Sequence, residues 1–438
     1  MDRSSKSSSF RPVVSVYLGN KSIPLNRMNN YVRLIKLVEA NKEANTILNF
    51  FTAEDVDFTE RRINGTYFNY SSKTWQKKEF GLPDVVYVRG GGEEIEKLLA
   101  AFDSWGVKRL NPIPAFNKGE LFELLSQDHN VSRFLPPTVS VESMNDIRSA
   151  IQRLGTVYVK ARRGRKGTQV MRIERLAKKG YLYSYSVLGK LVRRKVASMN
   201  GVEKAIVNFF SDKKVIVQRA INLVRVNKNR LVDFRAEVQR NKKGDIDIVG
   251  ICVRIGRQNA PITTHATAYR YDTYLKKLFP HYSNQQIRAL INKIKAFLIT
   301  VYFGVEKKYG QFGEMGIDFA VDRKGDIWLI ECNAQSAKVS IVKAYGSKAN
   351  RVFLNPLQYA KVIANLDRGT DRQHNNRSQS KSNRSQSNNN RSQSNNNRSQ
   401  SNNNRSLFNY YKRHFVRDRT RSEHEMSHTN HNAYFGGW

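Results

Sequence analysis

The segment from Gly316 to Asn333 constrains the fold more than any other part of this sequence. Two apolar runs flank a turn of charged residues and glycine, which predicts a β-hairpin. Asp318 lies on the first strand, and Glu331 and Asn333 lie two residues apart on one face of the second. Polar side chains in apolar strands cost free energy unless they are paired or bind a ligand. The pattern favours a Mg²⁺ site built from these oxygens, and a solvent-facing hairpin edge is the alternative.

Strand and helix signals alternate along most of the sequence, which predicts an α/β protein. Near the N-terminus, Val13–Leu18 has the pattern of a strand and Tyr31–Ala40 has the apolar spacing of a helix. Farther on, Ser283 and Gln286 form a capping-box pattern. This pattern predicts the start of a long helix with one apolar face that ends near Gly310.

A second pair of predicted strands surrounds a basic loop that contains glycine. Thr156–Lys160 and Thr168–Ile173 alternate apolar side chains on either side of the sequence ARRGRKG. Gly164 and Gly167 would let this loop approach a ligand closely and turn N–H groups toward anionic oxygens. Lys160 ends the first strand, where its ammonium group could contact a phosphate. The alternative is an ordinary basic hairpin with a solvated tip.

A third pair of predicted strands covers Val232–Gly256. Strand alternation places Asp233, Arg235 and Glu237 on one face. Three charged residues on one face usually indicate a face in water. Arg254 on the returning strand makes a cationic site possible instead.

The positive charge is concentrated in one region. The chain has 438 residues and a formal net charge of +38. Such a charge suggests nucleic-acid binding. However, residues 160–230 alone contain 20 basic and 3 acidic residues, within a segment that has strand signals. No helix-turn-helix, zinc-finger or RRM-type signature accompanies the charge, so nucleic acid is not the partner that we expect.

Composition excludes several classes of protein. Two cysteines are too few for a disulfide scaffold or a cysteine-ligated zinc site of the usual kind. No apolar run approaches 18 residues, so we expect no transmembrane helix. Residues 1–10 have no apolar run, so we expect no secretory signal there.

The C-terminal segment differs from the rest of the chain. Arginines recur every seven residues from Arg377 to Arg405, separated by Ser, Gln and Asn. These intervening residues cannot bury apolar area. We therefore predict that residues 367–438 form a disordered, basic tail.

Taken in order, these elements resemble the ATP-grasp superfamily. Its pattern is a lysine, a strand with a lysine and a glycine-rich loop, an apolar hinge strand, an arginine-bearing sheet, and D…E-x-N. The corresponding elements here are Lys118, Lys160 with Gly164 and Gly167, Val215–Gln218, Arg235 with Arg254, and Asp318 with Glu331 and Asn333. The stretches DFRAEVQRN, VRIGR and GIDFAVDRKGDIWLIECN most resemble the YheC/YheD type, which are ATP-grasp proteins associated with the endospore coat.

The resemblance implies an α/β architecture in three parts. Residues 1–110 would form an N-terminal β/α domain. Residues 111–366 would form the ATP-grasp domain, with ATP between its two α+β halves. Residues 367–438 would be the disordered tail.

The resemblance also implies roles for individual residues toward ATP and Mg²⁺. The expected nucleotide contacts are Lys118 and Lys160 on the phosphates, the Gly164–Gly167 loop over the triphosphate, and Gln218 with its neighbours at the adenine. The expected ligands of one or two Mg²⁺ ions are Asp318, Glu331 and Asn333. The expected stabilisers of charge on the transferred phosphoryl group are Arg254 and, second, Arg235. Catalysis of phosphoryl transfer rests mostly on positioning and charge neutralisation, so no protein nucleophile is needed.

The function implied by the resemblance is a Mg-ATP-dependent ligase. It would convert a carboxylate, which the basic surface suggests is part of an anionic substrate, into an acyl phosphate for attack by an amine. Spore-coat components would bind the basic tail, and the protein would move from the mother-cell cytoplasm to the coat. Two alternatives remain: a structural coat protein that keeps the fold without turnover, and charge-driven nucleic-acid binding.

The sequence departs from the family pattern where acceptor contacts are expected. Thr263–Ala268 lacks the paired glycines that usually follow the VRIG-type strand. His265 in this segment is a candidate general base. A lone histidine in a loop is more often structural, so the departure puts the acceptor chemistry in question more than ATP binding.

Overall fold

The computed structural model describes most of the chain. The described residues are 10–162, 169–187, 190–226, 230–261, 263 and 267–380, with side chains described as far as residue 365. Gly164, Gly167 and His265 lie outside them. All contacts reported below lie within Met1–Thr370, one of the two units into which the chain divides. Within the described part of the chain, no helix combines the length and apolar character needed to cross a membrane.

A seven-stranded mixed sheet forms the N-terminal part of the protein. Its strands are β1 (Val13–Tyr17), β2 (Ile47–Phe51), β3 (Val56–Asp57), β4 (Arg62–Asn69), β5 (Thr74–Phe80), β6 (Val85–Val88) and β7 (Lys108–Arg109). Their order is β3-β4-β2-β1-β6-β7, with β5 paired to β4. Strand β1 is parallel to both β2 and β6. Both β1 and β6 are almost wholly apolar, as expected for parallel strands that are covered on both faces.

An antiparallel six-stranded sheet follows, which we call the middle sheet. Its strands are β8 (Thr138–Ser140), β9 (Thr156–Ala161), β10 (Val170–Arg175), β11 (Tyr181–Val187), β12 (Lys190–Val196) and β13 (Val215–Arg219). Their order is β12-β11-β10-β9-β13-β8. The predicted strand pair around the basic loop is confirmed as β9 and β10. Val157 and Val159 on β9 are buried in a core under the helices, so Tyr158 and Lys160 face the other way.

A second six-stranded sheet, which we call the C-terminal sheet, contains the hairpin predicted first. Its strands are β14 (Arg225–Val226), β15 (Arg230–Arg240), β16 (Ile246–Gln258), β17 (Thr267–Arg270), β18 (Glu314–Val321) and β19 (Ile327–Asn333). Their order is β17-β16-β15-β18-β19, with β14 paired to β15. The hairpin turn is closed by hydrogen bonds from the Asp322 N–H to the Asp326 carbonyl and from the Gly325 N–H to the Asp322 carbonyl. Gly325 has φ of 83°, which favours glycine at this position.

Helices connect and cover the three sheets. They are α1 (Val32–Ala44), α2 (Ile95–Ser104), α3 (Lys118–Ser126), α4 (His129–Ser132), α5 (Met144–Leu154), α6 (Met199–Phe210), α7 (Tyr271–Leu278), α8 (Asn284–Tyr309), α9 (Val339–Tyr345) and α10 (Arg351–Ser380). Three short 3-10 helices cover Leu25–Asn30, Ala53–Asp55 and Gly346–Ala349. Helix α10 continues into the segment predicted to be disordered, and the part of that segment beyond Ser380 lies outside the described residues.

The long helix α8 begins and ends where the sequence predicts. The N–H of Ser283 donates to the Gln286 side chain at 2.7 Å, and the N–H of Gln286 donates to the Ser283 hydroxyl at 3.2 Å. Gly310 ends the helix with φ of 94°. The apolar face of α8 packs on the C-terminal sheet, for example through Phe297 and Phe319 with ring centroids 5.3 Å apart.

The first and last parts of the described chain share one apolar core. Val14 and Leu37 from the N-terminal sheet and α1 lie in the same cluster as Phe353 and Leu357 from α10. All four side chains are almost fully buried. Burial of this apolar area stabilises both regions together, so α10 completes the core of the N-terminal sheet.

The charged face of β15 is buried, which contradicts the expectation of a face in water. Asp233 and Glu237 are only 5% and 0% exposed. The segment that contains Ser336 and α9 covers the Glu237 end of this face, because Ser336 donates to Glu237 and α9 packs against β15 and β16. Strand alternation predicts only which residues share a face. It cannot predict burial here, because the elements that cover this face lie about 100 residues farther along the chain.

Candidate active site

The middle sheet and the C-terminal sheet both contribute to one cavity of about 750 Å³. All eight predicted site residues that are described line this cavity. They are Lys118, Lys160, Gln218, Arg235, Arg254, Asp318, Glu331 and Asn333. The other two predicted residues, Gly164 and Gly167, lie outside the described residues. The structure thus brings together side chains that are spread over more than 200 positions of the sequence.

The register of the C-terminal sheet explains why four of these residues meet. Asp318 is directly opposite Arg235 on one neighbouring strand and Glu331 on the other. Asn333 is opposite Gly316 one step along the same hairpin. Directly opposite residues in antiparallel strands share a face. The floor of the cavity is therefore formed by Arg235, Asp318, Glu331 and Asn333.

Buried ion pairs hold this floor together. Arg235 donates from two nitrogens to Asp318, with Nη2 to Oδ2 at 2.9 Å. Arg254 donates to both oxygens of Asp233 at 2.6 and 2.7 Å, and its Nη2 lies 3.3 Å from Asp318 Oδ1. Burial alone would raise the pKa of the Asp318 carboxyl, but Arg235 and Arg254 outweigh burial and lower the pKa. Asp318 is therefore held as a carboxylate.

Two lysines line the same cavity as the carboxylates. Lys118 is the first residue of α3, whose N-cap Asn117 accepts from the Gly119 N–H at 3.1 Å. Its Nζ atom lies 3.4 Å from Glu331 Oε1. Lys160 donates to Gln218 Oε1 at 2.6 Å. Lys118 therefore contacts the carboxylate floor directly, and Lys160 interacts electrostatically with Glu331 and Asp318.

The environment of Lys160 makes its charge sensitive to pH. Burial lowers the pKa of Lys160 to about 8, and the nearby Lys118 adds to this effect. Glu331 and Asp318 oppose the shift only in part. A bound anion would favour the charged form of this lysine.

Gln218 contacts the cavity through its side chain. The side-chain amide accepts from Lys160 and donates from Nε2 to Thr138 Oγ1 at 3.0 Å. The main-chain N–H groups of Arg219 and Ala220 bond to the carbonyls of Pro137 and Thr156. Those two N–H groups are therefore committed to the fold. Recognition of adenine at this hinge would rely on the Gln218 side chain or on other main-chain groups.

Sequence analysis missed the apolar part of the cavity. The apolar lining includes Ile221, Leu223, Leu231, Trp328 and Ile330. Trp328 also donates from Nε1 to Asp322 Oδ2 at 3.0 Å, which fixes the indole. An apolar wall in a cavity that also has cationic side chains is suited to a ligand with a flat ring and a negatively charged group. Trp328 in the apolar strand before Glu331 was the one signal that could have indicated this wall.

A buried polar network behind the cavity was also missed. Arg89 donates to Glu314 Oε1 at 2.7 Å and to the carbonyl of Ser336 at 2.5 Å. Lys338 pairs with the other oxygen of Glu314 and is 2% exposed. Burial lowers the pKa of Lys338. The network ties the N-terminal sheet to the loop after β19, and Arg89 lies 225 positions from Glu314, so no local pattern could reveal it.

One carboxylate oxygen in this region lacks a partner. Glu237 accepts from the Ser336 hydroxyl through Oε1. Its Oε2 atom has no hydrogen-bond partner among the described residues. Burial raises the pKa of the Glu237 carboxyl, although Lys338 and Arg235 oppose this shift.

The donor set suits Mg²⁺ combined with phosphates better than a cation held by protein alone. Among the described residues, no group of three or more His, Cys, Asp and Glu side chains could hold a metal ion. Asp318 and Glu331 supply two carboxylates. Asn333 donates from Nδ2 to the Gly316 carbonyl at 3.5 Å, a bond that does not use Oδ1. Mg²⁺ commonly takes one or two carboxylates and completes its coordination with phosphate oxygens and water.

The charge of the lining agrees with an anionic ligand. Eight basic and four acidic side chains line the cavity. The basic residues are Lys118, Lys160, Arg219, Arg235, Arg254, Arg257, Lys338 and Lys343, and the acidic residues are Asp233, Glu237, Asp318 and Glu331. The residues present therefore fit Mg²⁺ and a triphosphate.

A cavity between two α+β halves, with lysines on one side and an acid–amide hairpin on the other, defines the ATP-grasp class. A family model described as YheC/D-like ATP-grasp matches residues 106–363. This match covers more than half of the chain, so the protein belongs to the YheC/D-like ATP-grasp family. The resemblance and the fold class predicted from the sequence are confirmed, and an ATP-grasp fold implies ATP binding.

Two relatives and one solved structure illustrate the similarity. The chain is 25% identical to the endospore coat-associated protein YheD of Bacillus subtilis, over 75% of this chain and 73% of that protein. It is 21% identical to the endospore coat-associated protein YheC of the same organism, over 72% of this chain and 87% of that protein. The crystal structure of D-alanyl-alanine synthetase A from Vibrio cholerae aligns with a TM-score of 0.49 at 14% identity, covering 80% of this chain and 99% of that chain.

Proposed function

We propose that this protein is a Mg-ATP-dependent ligase that joins a carboxylate to an amine. The observation that carries the proposal is the convergence of Lys118, Lys160, Gln218, Arg235, Arg254, Asp318, Glu331 and Asn333 on one cavity. The carboxylate attacks the terminal phosphoryl group of ATP, which gives an acyl phosphate and releases ADP. The amine then attacks the acyl carbon, and loss of phosphate and a proton leaves the new amide bond.

The basic residues and the residues with oxygen ligands would bind different parts of the Mg-ATP complex. Lys118 and Lys160 would hold the phosphates, and Asp318, Glu331 and Asn333 would hold Mg²⁺. Positive groups fixed in advance stabilise a developing negative charge because they need no reorganisation during the reaction.

Both arginines are held in place by buried carboxylates. Arg235 is committed to Asp318 by two hydrogen bonds. Arg254 is held by both oxygens of Asp233 and lies at 3.3 Å from Asp318. The ion pairs therefore fix both guanidinium groups beside the carboxylate floor, where either can face the transferred phosphoryl group.

Nucleotide binding tests the proposal directly. We expect Mg²⁺ with a non-hydrolysable ATP analogue to raise the melting temperature of the full-length protein. Lys160→Ala should weaken this binding at least about tenfold, because a charge-assisted contact to phosphate contributes roughly 1.5–3 kcal/mol. Lys97→Ala is a control, since Lys97 lies on helix α2 with a side chain 82% exposed. The absence of any nucleotide-induced shift in the wild-type protein would refute the proposal.

We further propose that the protein associates with the spore coat. The relatives are named as endospore coat-associated proteins, and this chain has the basic composition that suits a polyanionic assembly. Immunodetection in fractionated spores of the source organism tests this proposal, and exclusion from the coat fraction would refute it. Normal coat assembly with Glu331→Gln would favour a structural role that does not need turnover.

A further inference from the structure

One row of residues crosses the middle sheet on the face that lines the cavity. From the edge strand inward, Arg193 is opposite Ser184, Ser184 is opposite Arg172, and Arg172 is opposite Tyr158. Tyr158 is in turn opposite Gln218. Because directly opposite residues share a face, all five side chains belong to one surface. Tyr158 and Gln218 line the nucleotide cavity, whereas Arg172, Ser184 and Arg193 line a second one.

The second cavity adjoins the first. It has a volume of about 270 Å³, and its other wall includes Arg225 and Ala260. Leu231, Ala260 and Pro261 line both cavities. The hydroxyl of Tyr158 donates to the carbonyl of Pro261 at 2.8 Å. A ligand group in the second cavity would therefore lie next to whatever occupies the first.

Positive charge is crowded around the second cavity. Arg172, Arg193 and Arg225 face one carboxylate, Glu174, among the described lining residues. Arg172 donates to Glu174 at 2.5 Å, so the positive charge exceeds the negative. Burial lowers the pKa of Arg225; Tyr158 opposes this shift, while Arg172 and Arg323 add to it. Charges in this arrangement repel one another, and an anion bound among them would relieve the repulsion.

We propose that Arg172, Arg193 and Arg225, which we call the arginine subsite, bind a side-chain carboxylate of an acidic polypeptide substrate. The proposal rests on the proposed ligase function, because a neighbouring carboxylate of the same polypeptide would enter the nucleotide cavity for activation. Arg193 is exposed on β12, the edge strand of its sheet. An extended chain can therefore reach the subsite from solvent.

The chemistry of the subsite favours a carboxylate over a nucleic acid. A guanidinium group forms two parallel hydrogen bonds with either a carboxylate or a phosphate, so the other lining residues must distinguish the two ligands. Single-stranded nucleic acids are usually bound by aromatic side chains on which bases stack, and the described lining residues include none.

Edge strands often carry basic residues simply to prevent aggregation, and β12 itself provides a control for this explanation. Arg193 and Arg194 are adjacent, exposed and equally charged, but alternation places them on opposite faces. Only Arg193 lines the second cavity. A general basic surface would use both arginines equally, whereas the arginine subsite requires Arg193.

Binding of a labelled hexaglutamate peptide to the full-length protein tests the proposal, measured by fluorescence anisotropy at constant salt. We expect Arg193→Glu to weaken binding at least about tenfold, Arg193→Gln to weaken it less, and Arg194→Glu to change it by less than about threefold. Affinity for a non-hydrolysable ATP analogue should stay unchanged in all three variants.

Four outcomes decide the proposal. Equal losses in Arg193→Glu and Arg194→Glu, or no measurable binding of hexaglutamate, would overturn it. Tighter binding of a single-stranded DNA hexamer with the same dependence on Arg193 would overturn the choice of an acidic polypeptide. The fourth outcome combines two measurements: peptide binding depends on Arg193, but the wild-type protein shows no nucleotide-induced melting shift. This outcome would support the subsite and refute the ligase function.

Discussion

The charged residues of the two sheets that line the nucleotide cavity have different kinds of partner. On the C-terminal sheet, Arg235 and Arg254 are paired with Asp318 and Asp233. On the middle sheet, Lys160 donates to the neutral amide of Gln218. Removing one partner of a buried ion pair leaves an uncompensated charge, whereas an ammonium bonded to an amide can release that contact to an anion. The charged residues of the C-terminal sheet are therefore fixed by ion pairs. Lys160 on the middle sheet is instead able to exchange its amide contact for a bound anion.

The largest effect should come from breaking an ion pair on the C-terminal sheet. Asp318→Asn removes the carboxylate that Arg235 contacts with two nitrogens and that lies 3.3 Å from Arg254. We expect a loss of about 3–5 kcal/mol in the free energy of unfolding, because a buried guanidinium would lose its charge partner. Urea unfolding measures this loss.

Removing the charge of Lys160 provides the matched comparison. Lys160→Met should leave the free energy of unfolding unchanged or raise it, since the buried ammonium group destabilises the folded protein at neutral pH. If both variants lose the same stability, the difference between the two sheets does not exist.

A smaller loss of stability should follow from adding a methyl group next to Arg235 in the floor. A Cβ atom at Gly316 would lie 2.7 Å from Arg235 Nη1 and 2.8 Å from Ser336 Oγ. Gly316→Ala should therefore displace the arginine and lower the free energy of unfolding by about 1–3 kcal/mol. Gly81→Ala is the control, because nothing lies within 4 Å of its added Cβ. Equal unfolding midpoints for the two variants would show that the floor is not closely packed.

The smallest effect concerns the pH dependence of nucleotide binding. Lys160 has a pKa of about 8, so it loses its proton between pH 7 and pH 9. Because phosphate attracts the charged form, affinity for a non-hydrolysable ATP analogue with Mg²⁺ should fall about tenfold over this range. Calorimetric titration at several pH values measures the fall. Lys160→Arg stays charged and should abolish it; an unchanged pH profile in this variant would assign the titration to another group.

The lowered pKa of Lys160 has the opposite pH dependence for folding: the free energy of unfolding rises with pH. The pKa of Lys160 in the folded protein lies below its ordinary value of 10.5. The unfolded chain therefore binds more protons between about pH 8 and pH 10.5. The destabilising contribution of this lysine is present in full below that window and fades as the pH rises through it.

Much of the local structure could be predicted from the sequence. The hairpin of β18 and β19 was evident because its strands are apolar and its turn contains Gly325. The start of α8 was evident because Ser283 and Gln286 satisfy each other's main-chain N–H groups. These features depend on contacts between residues only a few positions apart, so the sequence pattern contains the physical cause.

The candidate site could be predicted only as a set of residue types in order. Strand patterns indicated Lys160 and Glu331, and the resemblance added Lys118; the structure places all three around one cavity. The apolar wall around Trp328 and the network of Arg89 with Glu314 were not predicted. Both depend on packing between segments that are far apart in sequence.

The sequence by itself determined which residues of each strand share a face, because side chains alternate along any extended chain. It thereby placed Asp233, Arg235 and Glu237 together. The tertiary structure alone decided that this face is buried and paired, while the row from Gln218 to Arg193 opens toward two cavities. The physical reason is that burial and charge pairing depend on which distant elements pack over a face, and those contacts form only when the chain folds.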